Sequence, residues 1–206
     1  ITKSVMTPHI HPGRYENTRL DIQVAVQKFE VALARQGIPL DLSVGAEVRI
    51  GADTIYMVAQ EDIPFLGELG GYKILLLEFP HETIPIGSLN LVQWLMAKDI
   101  RPMIAHPERN KDVMRDLSKI EPFINEGCLM QLTAASIAGN FGKQAEMASR
   151  HMLEKDWVYV IATDAHNIDH RPPDLAVGRD AAAEIVGLEK ANLFVNDHPR
   201  AILQGE

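Results

Sequence analysis

Five short apolar runs in this 206-residue chain each stop at a side chain able to bind a metal or move a proton. Ser4-Val5-Met6-Thr7-Pro8 runs into His9, and Leu42-Ser43-Val44-Gly45-Ala46 into Glu47. Ile74-Leu75-Leu76-Leu77 runs into Glu78, and Pro102-Met103-Ile104-Ala105 into His106. Val158-Tyr159-Val160-Ile161-Ala162-Thr163 runs into Asp164, with His166 two residues on. The parallel strands of a β/α barrel direct their C-terminal ends to one rim, where active sites sit. On that arrangement three histidines and three carboxylates converge from distant parts of the chain.

Strand-like and helix-like stretches alternate throughout, which predicts βα units around a parallel sheet. Strands are expected near 4–8, 40–50, 72–79, 101–105, 128–132 and 157–163. Asn17 or Thr18 can cap a helix running to about Gln36, with Gly37 as its stop. Its apolar residues are spread widely enough to predict packing on two sides. The 53–61 stretch reads as a short helix or an active-site loop, and the segment through Pro64, Gly67, Gly70 and Gly71 as turns. Further helices are expected from Ser88 to Lys98, across 111–125 with a break near Pro122, across 141–155, and from an Asp174 cap to Val186. The tail reads as extended Leu193-Phe194-Val195 followed by a last short helix. Six strands are few for a closed barrel; a smaller barrel short of one N-terminal βα unit and an open doubly wound sheet both fit. With 46% hydrophobic residues and no linker or repeat, one domain over 1–206 is expected.

The formal net charge is −8, and no cluster of Lys and Arg supplies the basic face that a nucleic-acid partner needs. Cys128 is the sole cysteine, so no intramolecular disulfide forms, and it opens an apolar run as a buried thiol does. A cysteine phosphatase needs an Arg six positions on, where this chain has Ala134. No signal peptide and no membrane-spanning stretch is present, and a reducing cytoplasm is expected.

Among the candidate residues, His106 precedes Pro107, which ends a strand, and Arg109 offers a planar fork suited to phosphate. A loop histidine and a surface arginine are the alternative. Asp164 and His166, two apart in an extended segment, would face the same way and offer two ligands; the alternative is a turn-capping Asp beside an idle His. Arg171 is a second candidate anion binder. Glu47 and Glu78 end apolar strands, where a carboxylate is costly unless paired or metal-bound. For each, a structural salt bridge is the competing reading. His9 is the better candidate of the His9/His11 pair; His81, His151 and His198 are weaker, the last two as solvated or helix-end residues. The donors are nitrogen and oxygen with no thiolate, which suits Mn, Fe or Zn. No phosphate loop, dinucleotide fingerprint or serine elbow is present.

Taken together, Thr7-Pro8-His9 with Tyr15-Glu16-Asn17, Gly45-Ala46-Glu47, Leu77-Glu78-Phe79-Pro80, Ala105-His106-Pro107-Glu108-Arg109, and Thr163-Asp164-Ala165-His166-Asn167 with Arg171-Pro172 resemble the polymerase-and-histidinol-phosphatase (PHP) superfamily. The resemblance is to its bacterial protein-tyrosine phosphatase branch, linked to capsular and exopolysaccharide synthesis. It implies a distorted (β/α)7 barrel and a di- or trinuclear centre, often manganese. His9, Glu47, Glu78, His106, Asp164 and His166 would be its ligands, with Arg109 and Arg171 on the phosphate. The implied substrate is phosphotyrosine on a tyrosine autokinase. Family members begin with a His-x-His strand one βα unit ahead of Thr-Pro-His. Because that unit is missing here, incomplete metal loading, low activity and possible homo-oligomers through an unpaired edge are expected. A histidinol-phosphate-type phosphoesterase and a non-catalytic PHP-like binding module are the alternatives. A metal-dependent amidohydrolase is disfavoured by the paired arginines.

Overall fold

The strands of the computed structural model, which describes residues 1–206, follow the apolar runs closely. The first expected strand is two pieces, β1 (Lys3–Met6) and β2 (His9–Ile10). The second is likewise two, β3 (Asp41–Val44) and β4 (Glu47–Arg49). The breaks fall at Pro8, which has no N–H to donate, and at Gly45-Ala46. Pairing carries across them. β1 lies parallel to β3, the Gly45 N–H donates to Met6 C=O at 2.8 Å, the Glu47 N–H donates to Pro8 C=O at 3.0 Å, and β2 continues parallel to β4.

The segment expected to be only turns contains a further strand, β5 (Gly67–Leu69), antiparallel to β6 (Tyr72–Glu78). A two-glycine turn, Gly70-Gly71, with both residues at positive φ, makes this hairpin possible. Beyond β6 lie β7 (Ile100–Ala105), β8 (Leu129–Thr133) and β9 (Val160–Ala162). The parallel order is β2-β4-β6-β7-β8-β9. Hydrogen bonds do not join β9 to β2, yet the sheet curls strongly: the His166 ring, just past β9, stands 6.1 Å from the His9 ring on β2. The result is a curved α/β sheet whose ends approach each other at the C-terminal rim.

The central strands β6, β7 and β8 bury both faces, and that is why they read as unbroken apolar runs. Leu75, Leu77, Ile104, Met130, Leu132 and Ile161 belong to the larger core shared with the helices. Ile74, Leu76, Met103, Ala105, Leu129 and Val160 form a smaller inner core, completed by Ile202. Alternation then sends Glu78, two residues beyond Leu76, to the inner side.

The helices are α1 (Arg19–Arg35), α2 (Asp53–Ala59), α3 (Ser88–Met96), α4 (Lys111–Arg115), α5 (Glu121–Asn125), α6 (Ala134–Ile137), α7 (Lys143–Glu154), α8 (Ala176–Val186), α9 (Leu188–Asn192) and α10 (His198–Gln204). Thr18 caps α1 in a reciprocal box with Asp21, and Gly37 follows its end in the left-handed region. The two-sided packing expected of α1 is not found. Ile22, Val26 and Leu33 are buried, while Leu20, Val24, Phe29 and Val31 face outward. The helix expected over 111–125 is α4, a 3₁₀ turn at Leu117–Lys119 and α5, broken where Asp116 leaves helical geometry to cap Ser118. Leu193-Phe194-Val195 is not extended: Leu193–Asp197 is a π-helical turn joining α9 to α10. Its β-branched and aromatic residues favour strand, but burying Phe194 against the core overrides that preference.

Two predictions test this packing. Gly178 of α8 lies against the start of α6, where an added Cβ would fall 2.4 Å from the Ala134 Cα. Overpacking costs about 1–3 kcal/mol, against the roughly 1 kcal/mol that Ala gains over Gly in a helix. Gly178→Ala should therefore lower the Tm by a few degrees in thermal unfolding; an unchanged or raised Tm contradicts the close approach. Asp112 accepts hydrogen bonds from Thr83 Oγ1, the Ile84 N–H and Lys119 Nζ, tying the loop after β6 to α4. These bonds hold its carboxyl down at about 2, against an ordinary 3.8. A depressed carboxylate stabilises the fold above its unfolded value and stops doing so as pH falls through its folded value. Asp112→Asn should thus melt below wild type at neutral pH, with the gap narrowing as pH falls from 3.8 to about 2. A gap that does not change with pH contradicts the assignment.

Candidate active site

The register places the first three candidates together. His9 on β2 pairs with Glu47 on β4, and Arg49, two residues on, pairs with Glu78 on β6. All four therefore face the inner side of the sheet. His9 Nδ1 lies 3.6 Å from Glu47 Oε1 and 3.9 Å from Glu78 Oε2. One ligand atom from each of His9, Glu47 and Glu78 lies within 4.8 Å of the others.

His106 joins them by a different route. Regular extension would turn it to the face opposite Ala105, which is on the inner side. His106 instead takes a left-handed conformation, φ 32°, that ends β7 and brings Nε2 to 3.1 Å from Glu47 Oε1 and 4.0 Å from Glu78 Oε1. Asp164 is left-handed too, at φ 49°. Non-glycine residues rarely adopt this region, and such strain gathers at functional sites.

Asp164 corrects one expectation. The chain is not extended through Asp164-Ala165-His166, so the two side chains do not simply share a face. His166 Nδ1 is 2.9 Å from the Asp164 backbone oxygen and 3.7 Å from its Oδ1, and the His166 ring leans toward His9. Asp164 Oδ2 receives both arginines: Arg109 Nη1 at 2.5 Å, and Arg171 Nη2 in a close ion pair. The site thus has two poles. His9, Glu47, Glu78 and His106 form one; Asp164, Arg109 and Arg171 form the other, with His166 beside His9.

Neighbouring residues fix these groups. Asn17 Nδ2 donates to the His9 backbone oxygen at 2.8 Å, and Tyr15 stacks on the His9 ring with centroids 5.3 Å apart. Glu108, wholly buried, accepts the Thr133 N–H at 3.0 Å and locks the 3₁₀ turn Pro107–Arg109 onto the end of β8. Burial pushes its carboxyl up. Two contributors carried no separate signal in the sequence. Arg49 Nε stands 3.2 Å from Glu78 Oε2, legible only as the residue two beyond Glu47 on a strand. Phe141, on the loop after α6, lies under both site arginines. Among the remaining histidines, His11 bridges to Tyr15, His81 is exposed, His151 lies exposed on α7, and His198 opens α10 with its ring stacked on Tyr159.

The electrostatics describe a charge problem. Burial alone would raise the Glu47 carboxyl, but the His106 hydrogen bond and the charges of His106, His9 and Arg109 bring it below the usual range. Burial, and next the Glu47 charge, hold Glu78 above it. Burial disfavours charge on His106, yet its bond to Glu47 carries it above the ordinary imidazole value. Glu78 Oε2 is buried with no hydrogen-bond partner. A buried carboxylate oxygen whose close contact is the Arg49 ion pair, beside a second carboxylate and two imidazoles, belongs to a nitrogen-and-oxygen donor set that fits a divalent cation.

A family profile for capsular polysaccharide synthesis, CpsB/CapC, matches residues 1–204. The chain belongs to the CpsB/CapC family. Its relatives include the tyrosine-protein phosphatase YwqE of Bacillus subtilis, 32% identical over 167 residues, covering 81% of this chain and 65% of YwqE. The putative tyrosine-protein phosphatase CapC of Staphylococcus aureus is 34% identical over 172 residues, covering 84% of this chain and 66% of CapC. The chain thus spans just under two thirds of the length of these two relatives. The tyrosine-protein phosphatase CpsB of Streptococcus pneumoniae is 28% identical over 213 residues, covering 98% of this chain and 84% of CpsB. A chain from the crystal structures of YwqE and CpsB, described as unique metal-dependent tyrosine phosphatases, superposes with a TM-score of 0.91 at 28% identity, covering 100% of this chain and 82% of that one. The parallel α/β architecture expected from the sequence is therefore that of a CpsB/CapC protein.

No cysteine chemistry competes for this site. Cys128 is buried just before β8, and burial pushes its thiol up to about 12. At pH 8 about one thiol in ten thousand would be ionised on that value. Iodoacetamide treatment of the folded protein should leave Cys128 unmodified by mass spectrometry; rapid alkylation contradicts the burial.

Proposed function

We propose that this CpsB/CapC chain is a metal-dependent protein-tyrosine phosphatase. Its substrate is phosphotyrosine on a tyrosine autokinase that controls polysaccharide synthesis, in the cytoplasm. The observation that carries this reading is the pairing of two poles at one rim of the sheet: a carboxylate–imidazole cluster at His9, Glu47, Glu78 and His106, and two guanidinium groups, Arg109 and Arg171, gathered on Asp164. The kinship with YwqE and CpsB supports it.

In this reading His9, Glu47, Glu78, His106, Asp164 and His166 hold the metal. Manganese is the ion expected, with iron or zinc as the other ions suited to such donors. Bound there, the metal would acidify a water and polarise a phosphoryl oxygen. Glu47 and Glu78 supply the negative charge that retains a cation, and His106 and Arg49 orient them. Arg109 and Arg171 present two planar forks to the phosphoryl oxygens, a match to phosphate that a lysine lacks. Asp164 holds the two forks side by side before substrate arrives. With Cys128 buried, the reaction proceeds without a phosphocysteine.

The experiment compares a phosphotyrosine peptide with histidinol phosphate, using protein dialysed against chelator and reloaded with Mn²⁺, Fe²⁺ or Zn²⁺. Turnover of the peptide that disappears with chelator and returns with metal supports the reading. Arg171→Ala should lower kcat/KM about a hundredfold, the usual cost of one lost charge-stabilising donor, while bound metal by mass spectrometry stays constant. Preferred hydrolysis of histidinol phosphate, or turnover that needs no metal, contradicts it.

A further inference from the structure

We infer that Phe141 is a positioning residue for the phosphate-binding arginines: its ring holds Arg109 and Arg171 together as one anion-binding unit. The inference rests on the phosphatase reading above and deepens it. Both guanidinium groups lie over this ring, with Arg109 Cζ 4.4 Å and Arg171 Cζ 5.7 Å from its centroid.

The topology explains why this position does the work. Five of the six expected strands lead to a candidate ligand, whereas β8 ends in Thr133 and contributes none. In the sheet β8 lies between β7, which leads to Arg109, and β9, which leads to Asp164 and Arg171. The loop that follows β8 and α6 therefore emerges between the two arginines. Turns anchor that loop: the Asn140 N–H donates to Ala135 C=O at 2.8 Å and the Gly142 N–H to Gly139 C=O at 3.0 Å. Gly139 and Gly142 both have positive φ, 84° and 89°, which leaves Phe141 between two residues in conformations that favour glycine.

The chemistry requires such a support. Two guanidinium groups held on one carboxylate oxygen repel each other, and Asp164 offsets only part of that repulsion. The negative face of an aromatic ring attracts both cations, offers no acceptor that competes with phosphate, and restricts the long arginine side chains. Substrate then meets two forks already in place, and less ordering cost falls on binding. Phe141 is half-buried, so its ring is not needed to fill the core.

The test uses Phe141→Leu and Phe141→Met, which keep apolar volume without the ring, and Phe141→Trp, which keeps an aromatic face. Measured on metal-loaded protein are KM and kcat for the phosphotyrosine peptide, competitive inhibition by inorganic phosphate, and bound metal. The inference predicts that Leu and Met raise KM and weaken phosphate inhibition in parallel, about three- to tenfold. In both, kcat and metal content should stay within about twofold, and Trp should restore wild-type values. Unchanged KM and phosphate inhibition in the Leu and Met variants overturn it. Loss of metal or of folding in both also overturns it, because the ring would then serve the core. If the wild type hydrolyses no phosphotyrosine, calorimetric binding of inorganic phosphate to the same variants still decides the inference separately from the proposed function.

Discussion

Glu47 and Glu78 stand side by side at the inner end of a curved parallel sheet, and the rest of the rim is arranged around them. Water is largely excluded there, so their mutual repulsion must be met by placed cations. His106 abandons regular strand geometry to reach Glu47, His9 lies close to both carboxylates, and Arg49 comes alongside Glu78 from the neighbouring strand. One carboxylate oxygen of Glu78 still lacks a hydrogen bond. A divalent cation would complete such an arrangement, and the proposed metal chemistry rests on that.

Sheet curvature makes the cluster possible. A flat sheet in the order β2-β4-β6-β7-β8-β9 would leave the outermost strands far apart. Here the turn after β9 returns to the vicinity of β2, so His166 and His9 are neighbours. The two-pole layout follows. The β2, β4, β6 and β7 ends build the carboxylate–imidazole cluster, the segments after β7 and β9 supply the arginines, and the loop after β8 places an aromatic ring beneath them.

Much of this is legible in the sequence. Strands buried on both faces leave continuous apolar runs, and a polar residue closing such a run stands out. His9, Glu47, Glu78, His106 and Asp164 each close such a run. What escaped has physical reasons. β5 exists because of a glycine turn and an edge on β6, neither visible as periodicity. Arg49 carries one charge among many until the register pairs it with Glu78. Phe141 reads in sequence as the start of a helix over 141–155, whereas α7 begins at Lys143 and leaves Phe141 on the loop, where its significance lies in what packs over it. The outward apolar face of α1 reads in sequence as a packed one, because spacing records hydrophobicity and not the presence of a neighbour. The π-helical Leu193–Asp197 shows tertiary burial overriding local propensity.

The central proposal is that the inner rim of the sheet gathers a divalent cation between His9, Glu47, Glu78 and His106. Anomalous diffraction from crystals of this chain grown with Mn²⁺, collected at the manganese edge, tests it most directly. The account predicts a strong peak within coordination distance of the His9, Glu47 and Glu78 side chains. No peak there under saturating metal, or a peak only at surface carboxylates elsewhere on the chain, would contradict it.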